Sequence, residues 1–184
     1  MKIVGNDIVD LSEAGVFFHP RFPLRVLAEQ EMRLFATSPN QSLYLWKSWA
    51  AKEASFKAIR QINLKDRIFP RELVLFGHHK VRWRDITLHV NFDVHQDYVH
   101  CVASQSFSPV MTAISTYHSD ASVAVRTLAR KKISDHLQLK LNDVEIKKDQ
   151  NSIPYVVFSH NKTDVRLSLS HHGRFVAVAF TLDP

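Results

Sequence analysis

The sequence predicts an α+β protein made of two similar halves that form a pseudo-dimer. Two segments, residues 43–61 and 121–139, have apolar side chains at helical spacing and are long enough for helices of several turns. Each is followed by short stretches of alternating, β-branched residues, which are typical of antiparallel strands. Residues 97–103 also resemble residues 173–179, as an internal duplication would produce. We therefore expect each half to contain one long helix and a small antiparallel sheet.

The remaining elements follow from shorter patterns. A first strand is expected at residues 3–6, ending at a turn beside Asp7, and a short helix at residues 24–35. We expect the joint between the halves near residues 108–119, where proline and polar residues interrupt the pattern. The N-terminal lobe is then residues 1–112 and the C-terminal lobe residues 113–184. Alternation predicts the other strands at 71–76, 85–94, 98–103, 143–148, 154–158, 165–170 and 175–182.

The composition is that of an ordinary globular protein with a basic excess. The chain has 184 residues, 45% of them hydrophobic and 23% charged, and a formal net charge of +6 at pH 7. Such a charge attracts anionic partners such as nucleic acids, acidic proteins or phosphorylated small molecules, or it serves only solubility. The single cysteine, Cys101, excludes an internal disulfide. Neither a membrane-spanning run nor a signal peptide is expected, so we predict a cytoplasmic protein.

Two carboxylates are candidates for a metal site. On the predicted helix 43–61, Glu53 shares a stripe with large aromatic side chains, where an unpaired carboxylate would be costly or would hold its proton. Lys57, one turn later, can supply the counter-charge, so a purely structural Glu–Lys pair is one interpretation. Asp7 supports another interpretation, because a carboxylate at a strand end and one on a nearby helix can hold Mg²⁺ next to a diphosphate.

A polar segment between two predicted strands, residues 168–173, is the third candidate. Alternation puts Ser168 and Ser170 on one face and directs His171 and His172 to opposite sides, with at least one imidazole exposed at the turn. Imidazole, hydroxyl and backbone N–H groups suit an anion such as phosphate, although a solvent-exposed hairpin end would have the same sequence. Zinc is not expected, because the eleven histidines lack the spacing of a ligand set.

Five segments resemble, in the same order, motifs of the 4′-phosphopantetheinyl transferases. One of them, residues 19–27, is similar to the holo-acyl-carrier-protein synthase branch of this family. The resemblance extends from residue 3 to residue 180 and so covers almost the whole chain. The segments are Gly5-Asn6-Asp7-Ile8-Val9, residues 19–27 with Arg21 and Arg25, residues 46–57 with Lys52-Glu53-Ala54 and Lys57, residues 149–155, and residues 168–180.

The resemblance implies a phosphopantetheinyl transferase fold and an enzyme. Such an enzyme transfers the 4′-phosphopantetheine arm of coenzyme A to a serine of an acyl or peptidyl carrier protein, for example in fatty acid or polyketide synthesis, and releases 3′,5′-ADP. Asp7 and Glu53 would hold Mg²⁺ against the coenzyme A diphosphate. Glu53, Lys57 or a metal-bound water would take the proton of the carrier serine.

The resemblance also assigns the binding residues and the arrangement of the halves. Ser170, His171 and Arg60 would contact coenzyme A, and Arg21 and Arg25 would contact the acidic recognition helix of the carrier. The fused members of the family place the serine–histidine half first, whereas here the half with Asp7 and Glu53 comes first. We expect the active site in the cleft between the halves, and therefore a monomer.

The chain departs from the family pattern at residues that approach phosphates. The G-x-G after the signature helix is absent, and Ser152 and Ile153 replace the usual glycine and lysine. A degenerate member that binds a carrier or an acyl-coenzyme A without catalysis is therefore an alternative. A basic RNA-binding module is another, but the aromatic residues of the first long helix lie at core spacing. Compensating cations are expected among Arg60, Lys65, Arg67, Arg126, Arg130 and Lys131.

Overall fold

The computed structural model of the chain describes residues 2–14, 19–63, 65–105 and 109–182, and it confirms the α+β class with two similar halves. Each half has a five-stranded antiparallel sheet and one long helix. The helices are α1 (Leu11–Ala14), α2 (Phe22–Val26), α3 (Glu29–Thr37), α4 (Gln41–Arg60) and α5 (Ala121–Leu137). The strands are β1 (Val4–Asp10), β2 (Val74–Phe76), β3 (Lys80–Trp83), β4 (Ile86–Val94), β5 (Tyr98–Ser104), β6 (Met111–Thr116), β7 (Val144–Lys148), β8 (Pro154–Phe158), β9 (Asn161–His172) and β10 (Phe175–Thr181). None of the described helices is long and apolar enough to cross a membrane.

The first half packs α4 across a sheet of strand order β1-β5-β4-β3-β2. Asn40 caps the start of α4, its side chain accepting a hydrogen bond from the Leu43 N–H at 2.9 Å. A Cβ at Gly5 would lie 1.8 Å from the Ala54 carbonyl oxygen, so only glycine lets β1 approach the helix this closely. As expected from their spacing, Trp46, Trp49 and Phe56 belong to the core under this helix.

The second half repeats this plan with α5 and the strand order β6-β10-β9-β8-β7. Asp120 caps α5 through the Val123 N–H at 2.8 Å. The apolar face of α5, with Ala129 and Ile133, packs onto inward-facing residues of the sheet such as Val178. Both long helices thus begin at a local cap and end within two residues of the predicted positions.

The two halves meet where β1 packs against β9 and β10. Apolar contacts join Val4 to Ala179 and Ile8 to Ala177. At the end of the interface Asp10 accepts hydrogen bonds from the Arg174 side chain at 2.8 and 3.0 Å. The predicted cleft between the halves is therefore a closely packed interface, and the site lies along it.

Several predicted elements differ in the structure. The single helix expected at 24–35 is wrong: α2 ends at Val26 and α3 starts at Glu29, because Glu31 accepts a hydrogen bond from the Ala28 N–H at 2.6 Å and so begins a new helix. The first strand is longer than expected, and Asp7 lies within it and not at its end. The segment 71–76 is a 3-10 turn followed by a short strand.

Two strands, β3 and β6, were not predicted. Strand β6 is the edge strand of the second sheet and lies inside the expected joint 108–119. The first residue of that joint, residue 108, falls outside the described residues. Its side chains are half-buried or exposed, which leaves little alternation to detect. The division into lobes at residues 112 and 113 stays a prediction.

Candidate active site between the halves

Asp7 and Lys57 form an ion pair where β1 crosses α4. The close approach at Gly5 brings the Asp7 side chain against the helix, and Lys57 Nζ lies 2.7 Å from Asp7 Oδ1. Lys57 also donates to the Asn6 carbonyl oxygen at 3.0 Å. Burial raises the pKa of Asp7 above its usual range, an effect that Lys57 opposes. The lysine that the helical spacing offered to Glu53 is therefore bound to Asp7.

Glu53 lies close to this pair and has no partner of its own. It is half-buried, and no hydrogen bond or ion pair reaches it from the residues that the structure describes. Burial, and next the negative charge of Asp7, raise the pKa of Glu53 to about 7, while Lys57 partly opposes this. Two carboxylates thus share one lysine, and one of them is half protonated near neutral pH.

This pair of carboxylates fits Mg²⁺. In the described part of the chain no group of three or more His, Cys, Asp or Glu side chains could hold a metal ion. Mg²⁺, however, usually binds through one or two carboxylates and completes its shell with water and substrate phosphates. A divalent cation would also remove the repulsion by which Asp7 raises the pKa of Glu53.

A basic pocket opens next to Lys57, between the two halves. Its volume is about 360 Å³, and α4 forms one wall while α5, β9 and the turn before β8 form the other. Five basic side chains line it, with no Asp or Glu among the described residues that surround it. Such a pocket attracts phosphate groups. The basic residues are Lys57, Arg60, Arg126, Lys148 and His171.

The turn before β8 keeps its shape without the usual glycine. Asp149 Oδ1 accepts hydrogen bonds from the N–H groups of Asn151 at 2.8 Å and Ile153 at 2.9 Å. Ser152 between them has φ of +64°, a conformation that favours glycine. Ser152 therefore has the backbone conformation of the glycine that it replaces. Ile153, which replaces the usual lysine, lies in the pocket wall.

The serine–histidine segment forms the end of β9 beside the pocket. Ser168 and Ser170 lie on one face, as predicted: Ser168 Oγ accepts from the Asn6 N–H at 2.9 Å, and Ser170 Oγ accepts from Asn6 Nδ2 at 3.3 Å. His171 is exposed and lines the pocket. His172 Nδ1 accepts from the Asp10 N–H at 3.1 Å. Both imidazoles help to lower the pKa of Asp7, so they lie close to it.

The structure brings some of the predicted residues together and leaves others apart. Lys57, Arg60 and His171 line the same pocket, next to Asp7 and Glu53. Ser170 is buried behind the pocket wall and is not part of the lining. The carrier contacts stay predictions: Arg21 and Arg25 are exposed at the start and end of α2, outside the pocket.

Of the cations that were expected to compensate for the missing glycine and lysine residues, some line the pocket and others do not. Arg60 and Arg126 line the pocket, whereas Arg130 donates to the carbonyl oxygens of Val144 and Leu141 at 2.8 and 3.0 Å. Sequence reasoning missed Lys148, although it directly precedes the motif at residues 149–155 and could have been found there. The other expected residues, Lys65, Arg67 and Lys131, are exposed and do not line the pocket.

Two α+β halves thus enclose a basic pocket beside two neighbouring carboxylates, an arrangement whose charge is suited to a phosphorylated ligand. The family model described as 4'-phosphopantetheinyl transferase superfamily matches residues 3–108, more than half of the chain. The chain therefore belongs to the 4′-phosphopantetheinyl transferase superfamily, and the resemblance based on its motifs is confirmed. A second model, described as 4'-phosphopantetheinyl transferase, N-terminal, matches residues 93–182, in agreement with the reversed order of the halves.

One solved structure extends the comparison. The chain is similar to the crystal structure of Thermotoga maritima holo-[acyl-carrier-protein] synthase (AcpS), with a TM-score of 0.45 and 16% identity. The similarity covers 88% of this chain and 86% of that chain. No match was found among curated proteins. The assignment to the superfamily depends on the family model.

Proposed function

We propose that the protein is a Mg²⁺-dependent enzyme of the holo-acyl-carrier-protein synthase type. It would transfer the 4′-phosphopantetheine group of coenzyme A to a serine of an acyl or peptidyl carrier protein and release 3′,5′-ADP. The observation that supports this most is the basic pocket between the halves, which shares Lys57 with the carboxylate pair. Coenzyme A carries a diphosphate and a 3′-phosphate, and a pocket lined by cations without acids suits these groups.

The phosphates would be bound from both halves. Arg60 on α4 and His171 on β9 both line the pocket, with Arg126 and Lys148 on the walls of the second half. Arg60 also donates to the Asn151 carbonyl oxygen at 3.4 Å, a contact that ties it to the other wall. Ser170 is buried behind that wall, so its proposed role in binding coenzyme A would be exerted through its neighbour His171. One chain supplies both walls, so a monomer suffices.

Asp7 and Glu53 would hold the Mg²⁺ ion. When bound, the ion would neutralise the charge that develops on the diphosphate during transfer. The supporting observation is the repulsion between the two carboxylates, expressed in the raised pKa of Glu53. Lys57 would stay next to them as a cation for a phosphate oxygen, because its Nζ already donates to Asp7 and to Asn6.

Transfer needs a group that takes the proton of the carrier serine. The serine oxygen would attack the β-phosphorus, and the bond from that phosphorus to the 3′,5′-ADP oxygen would break. Glu53 or a metal-bound water would take this proton; the raised pKa of Glu53 belongs to the metal-free protein and does not choose between them. Lys57 suits the role of base less, because its two hydrogen bonds hold it as an ammonium donor.

The carrier would dock beside α2. Arg21 and Arg25 are exposed there, and Leu24 between them is 57% exposed, so that cations and an apolar side chain are offered together. An acidic helix with apolar residues complements such a surface. The buried, unpaired Cys101 is compatible with a reducing compartment, in agreement with a cytoplasmic enzyme.

Intact-mass spectrometry tests the proposal. Apo acyl carrier protein is incubated with the protein, coenzyme A and Mg²⁺, with EDTA in a parallel sample. We expect a metal-dependent gain of about 340 Da, the mass of the arm on a phosphodiester-linked serine. Asp7→Asn and Glu53→Gln should abolish the gain, and Glu145→Gln, an exposed carboxylate outside the site, should leave it unchanged.

Two other outcomes would contradict the proposal. If no carrier gains mass while the folded protein still binds coenzyme A in calorimetry, the protein is a binding relative without catalysis. If Asp7→Asn or Glu53→Gln transfers the arm as fast as the wild type, the roles assigned to these carboxylates are wrong.

A further inference from the structure

Asn6 occupies an unusual position for an amide. It lies in the middle of β1, on the face that packs against the second half, and it is fully buried. Its neighbours on this face, Val4 and Ile8, contact apolar residues of β10. A polar side chain enclosed by apolar contacts is unfavourable unless it makes hydrogen bonds. The bonds of Asn6 therefore indicate its role.

Two of these bonds reach the second half. The main-chain N–H of Asn6 donates to Ser168 Oγ at 2.9 Å, and its side-chain Nδ2 donates to Ser170 Oγ at 3.3 Å. Both serines belong to β9, and Ser170 directly precedes His171, which lines the pocket. Asn6 thus fixes the position of β9 along β1, and with it the position of His171.

A third contact holds the amide itself. Nδ2 lies 3.2 Å from Nε2 of His100, a buried residue of β5. Burial lowers the pKa of His100 to about 4, so the imidazole is neutral at physiological pH and its Nε2 can accept a hydrogen. Both hydrogens of the Asn6 amide group are then donated, one to His100 in the first half and one to Ser170 in the second half. Asn6 Oδ1, in contrast, is buried without a partner among the described residues, a cost that an apolar side chain would avoid.

The fourth contact reaches the catalytic lysine of the proposed function. Lys57 Nζ donates to the Asn6 carbonyl oxygen at 3.0 Å and to Asp7 at 2.7 Å. Lys57 lines the pocket from α4, opposite His171 on β9. The main chain of Asn6 is therefore bonded to Lys57 on one wall and to Ser168 on the other, and its side chain adds the bond to Ser170 behind the second wall.

We propose that Asn6 is a positioning residue that holds the two walls of the pocket in register, and that His100 holds its amide in place. Asn6 contacts neither the pocket nor the reacting atoms and acts through Lys57 and the segment that ends at His171. Its effect on turnover rests on the proposed function, whereas its effect on ligand binding does not.

The test replaces Asn6 by a side chain of similar size without polar atoms. For Asn6→Leu we expect about tenfold weaker binding of 3′,5′-ADP in calorimetry, because the side-chain bond to Ser170 next to His171 is lost while the main-chain bonds to Ser168 and Lys57 remain. The KM for coenzyme A should rise by a similar factor while the KM for the carrier stays the same. A role in stability alone would not separate the two KM values. The melting temperature is measured in parallel, because the change also leaves the buried Ser170 hydroxyl and His100 imidazole without the amide partner.

A second variant and a matched control complete the experiment. His100→Leu should weaken 3′,5′-ADP binding in the same direction, although His100 does not line the pocket. Ser134→Ala removes a buried hydroxyl whose bond stays within α5, to the Lys131 carbonyl oxygen, and should change neither affinity nor KM.

Each outcome decides the proposal. Wild-type affinity for 3′,5′-ADP in both Asn6→Leu and His100→Leu would overturn it, and so would equal increases in the two KM values. If Asn6→Leu does not fold, His100→Leu decides alone. If the wild type binds 3′,5′-ADP but modifies no carrier, the proposed function fails while the affinity comparison still tests Asn6. A wild type that does not bind 3′,5′-ADP would overturn both.

Discussion

Lys57 Nζ lies 2.7 Å from Asp7 Oδ1, and Glu53, one turn earlier on the same helix, stands beside this pair without a cation of its own. In the metal-free protein, burial and the charge of Asp7 both disfavour an ionised Glu53. If Asp7 and Glu53 hold Mg²⁺ as proposed, the bound cation would remove this cost, and the cost can be measured without any substrate.

The first prediction concerns the stability of Glu53→Gln in EDTA. The pKa of Glu53 is about 7 in the folded protein and 4.5 by its ordinary value, so the folded state holds a proton that the unfolded state releases between these values. The stability that the folded protein gains by holding this proton is fully present below about pH 4.5 and is lost as the pH rises through about 7. At pH 8 we expect Glu53→Gln to be more stable than the wild type by about 1–3 kcal/mol.

Urea unfolding at a series of pH values checks this prediction. The advantage of Glu53→Gln should shrink towards zero near pH 5, and saturating Mg²⁺ should reduce it at pH 8 by stabilising the wild type alone. Glu13→Gln, at an exposed position, serves as the control. A variant that is no more stable than the wild type at pH 8 would show that Glu53 ionises without cost.

The second prediction concerns the cations of the pocket wall. Arg126→Ala and Lys148→Ala should each weaken coenzyme A binding about tenfold, because each removes a charged partner of a phosphate. Lys147 is the matched control: it neighbours Lys148 on β7, lies outside the pocket and pairs with Glu145 at 2.9 Å. Lys147→Ala should bind normally in calorimetry. Equal effects at residues 147 and 148 would indicate a general charge effect and no specific contact.

The parts of the fold that the sequence predicts are those that depend on local patterns. The two long helices have capping residues, Asn40 and Asp120, directly before a regular apolar stripe, and both were predicted within two residues. The division of the segment 24–35 depends on Glu31, which accepts the Ala28 N–H and also binds Lys52 on another helix. The Ala28 contact is local, whereas the contact with Lys52 joins residues that are distant in sequence and leaves no local pattern to detect.

The same distinction applies to the site. Spacing identified Glu53 and Lys57 as neighbours, because helical geometry is local. That Lys57 binds Asp7 follows from the close approach at Gly5, a contact between elements about fifty residues apart in sequence. Asn6 was missed for this reason also, because its side-chain and main-chain bonds reach Ser170 and Ser168 on β9, far along the chain.

The third prediction concerns the ion pair that joins the halves. The Arg174 side chain holds the pKa of Asp10 well below its usual range, and the Asp10 carboxylate is fully buried. A carboxyl group with a lowered pKa stabilises the folded protein at pH values above its pKa in the unfolded chain, which is near 4. This stabilisation is lost as the pH falls through its pKa in the folded protein. Asp10→Asn should therefore be less stable than the wild type at pH 7, by about 3 kcal/mol, with a difference that narrows in acid.

Acid unfolding followed by circular dichroism measures this difference. Asp97→Asn is the control, because Asp97 also contacts Arg174, at 3.5 Å, but is 40% exposed. Its effect at pH 7 should be within about 1 kcal/mol. If the loss in Asp10→Asn is the same at pH 7 and pH 3, a charge-independent packing effect is responsible.

The last prediction concerns Lys52, the neighbour of Glu53 that points away from the site. Lys52 Nζ lies 2.6 Å from Glu31 Oε2, and both side chains are fully buried. Burial lowers the pKa of Lys52, and Glu31 opposes this. Lys52→Met would leave the Glu31 carboxylate buried with only N–H donors, so we expect a loss of about 3–5 kcal/mol in the free energy of unfolding.

An exposed ion pair of the same kind provides the comparison. Arg33 and Glu29, also 2.6 Å apart, are 78% and 81% exposed, so Arg33→Met should cost less than about 0.5 kcal/mol. Glu31 also accepts the N–H groups of Ala28 and Leu75, at 2.6 and 2.7 Å. For that reason Glu31→Leu combined with Lys52→Met should not restore stability, although apolar replacement often does so at isolated buried pairs. If the double variant is as stable as the wild type, Glu31 contributes to stability only through its ion pair with Lys52 and not through its hydrogen bonds to the N–H groups of Ala28 and Leu75.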